Sequence, residues 1–171
     1  MLDSHSDLVA YFDLPDTSAY ISHFAKAELT PVDWMDPVTW VWRIDEAVQP
    51  AWLADVAAEA EAATRRLASR MILKDATPRL IVDGCWIVGG ASVVRDVRGG
   101  RILRVQDSAQ IQNVWDSAQI QNVWGSAQIR DVWDSAQIRD VGGSAQIQNV
   151  CDSAQLDASA RAHVVELSHV A

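Results

Sequence analysis

The sequence predicts a mainly β fold: a β-solenoid wound from nonapeptide repeats at about 18 residues per coil, with a small α-rich N-terminal cap. Three observations predict it. The first is a near-perfect array. Residues 107–115 read DSAQIQNVW, and residues 116–124 repeat them identically. Residues 125–133 read GSAQIRDVW, 134–142 DSAQIRDVG and 143–151 GSAQIQNVC, and 152–160 begin DSAQL before decaying. The second is the spacing of apolar residues inside each unit. Ala118 and Ile120 are two apart, so both face one side of a strand. Val123 follows after a two-residue polar step. The third is the junction between units, where Trp or Gly, then Asp or Gly, then Ser supply corner chemistry.

A nine-residue rung is too short to enclose a core alone. Two rungs per coil is the preferred count, and three, giving about 27 residues, is the other geometry open to the array. With two, Ile111, Ile129 and Ile147 form one inner ladder and Ile120, Ile138 and Leu156 the other. Neighbouring rungs are then ~4.8 Å apart, and the open ends of the stack expose strand edges that need a cover. The stretch upstream fits looser spacing. Residues 90–98 read GASVVRDVR, and Ile81, Cys85 and Ile87 share the relative positions of Val114, Ala118 and Ile120. The solenoid is therefore expected over residues 81–171, preceded by an acidic helical region over residues 1–80.

The unit Val-x-[DG]-Ser-Ala-x-Ile resembles the hexapeptide pattern of left-handed β-helices, with apolar, small and apolar residues at offsets 0, 4 and 6. It departs from that pattern by inserting three residues every cycle. The array is also similar to the Ser-Ala-Thr-Val repeat proteins of actinobacteria and their phages, over about half the chain. That resemblance implies a phage or mobile-element origin and an inhibitor of a host protein. Pentapeptide-repeat proteins are a weaker comparison, since their five-residue period is absent.

In the front half, residues 50–72 read as an amphipathic helix. Trp52, Val56, Ala60, Ala63, Leu67 and Met71 recur every three or four residues. Asp55, Glu59 and Glu61 come early and Arg65, Arg66 and Arg70 late, complementing the helix dipole. The expected role is to cover the first coil's open edge. Residues 16–29 are a second helix candidate, with Tyr20, Ile21 and Phe24 on one side, and residues 38–44 look like a strand.

Charge divides the chain. Net charge is −9, yet residues 1–50 carry nine acids against Lys26 and Arg43, a net of −7. Residues 81–171 carry ten acids and seven bases, a net of −3. This balance argues against direct nucleic-acid binding, which needs clustered cations. It leaves open an acidic surface that imitates nucleic acid, with Asp13, Asp16, Asp33 and Asp36 as candidate partner contacts. The N-terminus has no basic or apolar leader pattern, and no run of 18 apolar residues occurs. The expectation is a cytoplasmic protein, off the membrane.

Catalytic equipment is not legible. Left-handed β-helix acyltransferases use a His in a projecting loop, and the array has neither loop nor His; His163 and His169 lie past it. No GxSxG, P-loop, HExxH or GxGxxG is present. The two cysteines, Cys85 and Cys151, lack zinc spacing, and the units lack the paired glycines of calcium-binding nonapeptide rolls. No cofactor or metal is therefore expected, and no enzyme. Trp115, Trp124 and Trp133 each follow an inward Val and are expected at the corners, either pointing out as an exposed aromatic column or folded flat over the corner to shield the backbone, with Trp115 stacking on Trp133 and Trp124 on the opposite face. These are the remaining partner-binding candidates. The sequence-level reading is a binding or scaffold protein for a protein partner or a second copy in a homodimer. Self-assembly and binding of ice or a glycan by regular polar ladders are the alternatives.

Overall fold

A computed structural model of the chain describes residues 11, 25–46, 49–151, 153–161 and 163–168. It divides into two compact units, Met1–Ser69 and Arg70–Ala171.

In the first unit, β1 (Ala27–Thr30) pairs antiparallel with β2 (Val41–Ile44), Ala27 opposite Ile44 and Thr30 opposite Val41. The helix expected over residues 16–29 is not what Ala27–Leu29 form. Thr30 precedes Pro31, which disfavours helical backbone there, and pairing with β2 fixes the extended form. Residues 16–24 of that expectation lie outside the described residues. The strand expected over 38–44 is shorter, because Pro37–Thr39 make a 3-10 turn capped by Asp36. Helix α1 (Leu53–Met71) lies inside the expected 50–72. Ala54, Ala57, Ala58, Ala60, Ala62 and Ala63 give it high propensity.

Its buried face differs from the expected one. Leu53 and Ala68 are buried, while Val56 and Leu67 stand exposed. Arg65 sets this rotation. Its guanidinium donates to the carbonyls of Pro37 at 2.6 Å and Trp40 at 2.9 Å, and pairs with Glu61. Two backbone acceptors outside the helix hold this rotation, and the alternative stripe has only alanine at its centre to bury.

The second unit is a β-solenoid of parallel stacked strands. One sheet runs in the order β14-β12-β10-β8-β6-β4 and the other β13-β11-β9-β7-β5-β3. The first sheet comprises β4 (Leu80–Ile81), β6 (Val93–Val97), β8 (Gln110–Val114), β10 (Gln128–Val132), β12 (Gln146–Cys151) and β14 (Val164–Ser168). The second comprises β3 (Ile72–Lys74), β5 (Cys85–Gly89), β7 (Arg101–Val105), β9 (Gln119–Val123), β11 (Gln137–Val141) and β13 (Gln155–Leu156). Successive strands alternate between sheets, so each coil holds two. The stack starts at Ile72, upstream of the expected Ile81, on a segment without the repeat's residues.

Coil length grows along the chain. Ile72 lies opposite Ile87, an advance of 15 residues. Leu80 lies opposite Asp96, an advance of 16, and Val93 opposite Gln110, an advance of 17. From Ile102 opposite Ile120 the advance is 18 and stays so to Ile138 opposite Leu156. The repeat's two units per turn therefore arise where the sequence becomes regular.

Both inner ladders are as the period requires. Ile111, Ile129 and Ile147 stack in one sheet and Ile120, Ile138 and Leu156 in the other. The five isoleucines are essentially inaccessible, and Ala109, Ala118, Ala127 and Ala136 fill the corners beside them. Each buried Ile contributes about 1.5–3 kcal/mol of transfer free energy.

The corners explain why the first residue of a unit is Asp or Gly. The N–H of Ala118 donates to the Trp115 carbonyl at 3.2 Å, and Ala136 does the same to Trp133. Between them Asp116 and Asp134 have φ of 56° and 55°, and Gly125 and Gly143 hold 72° and 71° at the other corner. One residue at positive φ in each corner favours Gly and is tolerated by Asp. Asp134 adds an inter-coil bond, its Oδ2 accepting from the Asp116 N–H at 3.3 Å.

At the last coil, α2 (Ala158–Arg161) replaces the continuation of β13. Ser159 Oγ accepts from the Val141 N–H, and Asp157 Oδ1 accepts from the Ala160 N–H at 2.8 Å. That second bond holds the Asp157 carboxyl below the usual range.

Candidate interaction surface

Every outward position of the solenoid belongs to a column one coil apart. At the corner leading from the first sheet to the second, Trp115 and Trp133 stack with centroids 5.3 Å apart and planes 12° from parallel. The separation is close to the ~4.8 Å strand spacing, so the register itself forces the stack. Both rings are half-buried, and their Nε1 atoms are out of water with no hydrogen-bond partner. The pair lies over its corner more than it projects from it.

Trp124 sits at the other corner and is 41% exposed. Its column in the next coil holds Gly142. A Cβ there would lie 2.8 Å from the Trp124 ring, so only glycine lets the indole settle on the following coil. The Arg104 guanidinium lies 5.8 Å from the ring centroid, on the side of the preceding coil. Trp124 is thus held between two neighbours and stays partly open to solvent. Sequence reading flagged the tryptophan and missed its seat; the replacement of Trp by Gly eighteen residues later was the available signal.

The sheet faces carry polar ladders. In the first sheet the pairs alternate from coil to coil: Arg95-Asp96, Gln112-Asn113, Arg130-Asp131, Gln148-Asn149. Asn113 Nδ2 donates to Asp96 Oδ1 at 2.8 Å, and Asn149 Nδ2 to Asp131 Oδ1 at 2.7 Å. Arg130 pairs with Asp131 at 2.8 Å. The alternation keeps aspartates from stacking on aspartates, since like charges on neighbouring strands are destabilising. Much of the ladder's hydrogen-bonding capacity is therefore used inside the stack.

Of the acidic candidates, Asp13 and Asp16 lie outside the described residues. Asp33 and Asp36 lie in the turn between β1 and β2 and have local work. Asp33 Oδ1 accepts from the Met35 N–H at 2.9 Å, and Asp36 Oδ1 from the Val38 N–H at 3.1 Å.

The remaining reactive groups are dispersed. Cys85 and Cys151 are free thiols, and burial pushes Cys85 up, away from thiolate. His163 Nδ1 is 3.0 Å from the Ala145 carbonyl, within the last coil, and His169 lies outside the described residues. Among the described residues no group of three or more His, Cys, Asp or Glu side chains is placed to hold a metal ion. None of their helices is long and apolar enough to cross a membrane. No family model matches the chain, and no curated protein or solved structure does.

Proposed function

We propose that this chain is a non-enzymatic binding scaffold whose nonapeptide-built solenoid presents Trp124 to a protein partner. The observation that carries the reading is the ring's setting, seated on Gly142, flanked by Arg104 and still exposed to solvent. A large aromatic already fixed by its neighbours loses little side-chain entropy on binding, which is the property of an interface anchor. The resemblance to phage-type repeat arrays makes a host protein that is inhibited by binding the partner class. An α-rich cap stays part of the proposal, because β3 and β4 end their sheets and an uncovered edge invites pairing with other chains. A nucleic-acid-mimicking front surface has no comparable support, since Asp33 and Asp36 cap their own turn.

Quantitative affinity capture from source-cell extract tests this, comparing wild type, Trp124→Ser and the sheet-face variant Gln112→Ala. The partner is expected to survive Gln112→Ala and to bind Trp124→Ser about thirtyfold more weakly, the ~2 kcal/mol of an anchor residue. Equal capture by wild type and Trp124→Ser, with unchanged circular dichroism, contradicts the reading.

A further inference from the structure

We propose that α1 is the interface of a symmetric, antiparallel dimer, the partner being a second copy of this chain. Val56, Ala60, Ala63 and Leu67 follow one another at steps of four, three and four, the spacing of a two-helix seam. All four are exposed, Val56 at 41% and Leu67 at 59%. Arg65 and Ala68 lie on another side of the helix, where Arg65 bonds to the carbonyls of Pro37 and Trp40; Leu53, seven residues before Ala60, is on the seam's own stripe and is buried, so the exposed second surface begins at Val56. The two alanines at its centre let a facing helix approach closely.

Charge selects the occupant and its direction. Glu59 and Arg66 are seven residues apart, so they lie on the same flank of the seam. Both are exposed, and neither makes an ion pair among the described residues, whereas their neighbours Glu61 and Arg65 pair with each other. In an antiparallel pair with Ala60 against Ala63 of the second copy, Glu59 comes within about two residues of rise, ~3 Å, of the other helix's Arg66. Two-fold symmetry repeats that contact, giving two ion pairs. A parallel pair sets the same flank against Thr64 and Met71 and gains none. The seam is short, so the dimer is weak and depends on concentration.

Sedimentation velocity of the full chain over a concentration series tests the proposal. Wild type is expected to pass from monomer to dimer, and Leu67→Glu to remain monomeric. Glu59→Arg and Arg66→Glu are each expected to weaken the dimer about tenfold, since each turns two attractions into repulsions, and the double variant to restore it. All three substituted positions are on the surface, and the two charge variants keep the test independent of any folding defect in Leu67→Glu. A wild type that stays monomeric at all concentrations overturns the proposal. A dimer that ignores the charge variants, or single losses that the double variant does not repair, overturns it as well.

Discussion

Ile129→Asp is expected to leave the solenoid unfolded at neutral pH, with no cooperative transition in urea. Ile129 is completely buried between Ile111 and Ile147 in the middle of its ladder. A carboxylate there would have no partner and no water, a penalty of several kcal/mol. The lost Ile burial adds about 1.5–3 kcal/mol. Together these approach the ~5–15 kcal/mol that holds a domain folded. Ile129→Ala removes only the apolar part and is expected to cost about 2–5 kcal/mol. Leu156→Ala, in the last rung and 9% exposed, should cost less than Ile129→Ala, because stability in a stack is shared between neighbouring rungs. Equal costs for the central and terminal substitutions would show that the chain does not unfold as a stack.

Gly100→Ala is expected to lose about 2–5 kcal/mol, the sum of left-handed strain and overpacking. Gly100 has φ of +74°, and a Cβ would lie 2.7 Å from the backbone carbonyl of Asp83 in the preceding coil. That corner holds three residues, 98–100, where the regular corners hold four, and it leaves no room for a Cβ against the preceding coil. Gly125→Ala is the comparison. Its φ is +72°, but its Cβ would stand 3.0 Å from the nearest atom, Asp107 N, and Asp occupies the equivalent corner position at 107 in the coil below. It should lose clearly less than Gly100→Ala in the same urea titration. A smaller loss at Gly100 than at Gly125 would mean that the short corner is not as tight as described.

The inner architecture was legible because it depends on a period. Once two units make a coil, the partners of Ile111, Ile120 and Ile129 and the Trp115–Trp133 stack follow from counting eighteen residues. The same count exposes the Arg-Asp and Gln-Asn alternation and the Gly142 seat, which are relations between coils and invisible within one unit. The first coils were less legible. Their advance of 15 to 17 residues breaks the period, so β3 carries no repeat signature. Helix α1 was readable from its pattern, but its buried face was not, because the Arg65 bonds to Pro37 and Trp40 are tertiary and have no local trace. The β1 strand was misread as helix for the same reason: its extended form depends on β2 and on Pro31.

The proposed binding surface rests on the two-strand coil, because it alone puts Trp115 over Trp133 and Trp124 on the opposite corner. Disulfide closure measures it directly, in a background of Cys85→Ser and Cys151→Ser. Gln112→Cys with Arg130→Cys places two outward thiols on neighbouring strands, ~4.8 Å apart and within the 4.4–6.8 Å range of Cα separations that a disulfide spans. Gln112→Cys with Gln121→Cys, and with Arg139→Cys, places them on the outer faces of opposite sheets, about 10 Å or more apart. The first pair is predicted to oxidise quantitatively within folded protein and the other two to stay reduced. Closure of Gln112→Cys with Arg139→Cys instead would mean a coil of three units, and would contradict the account.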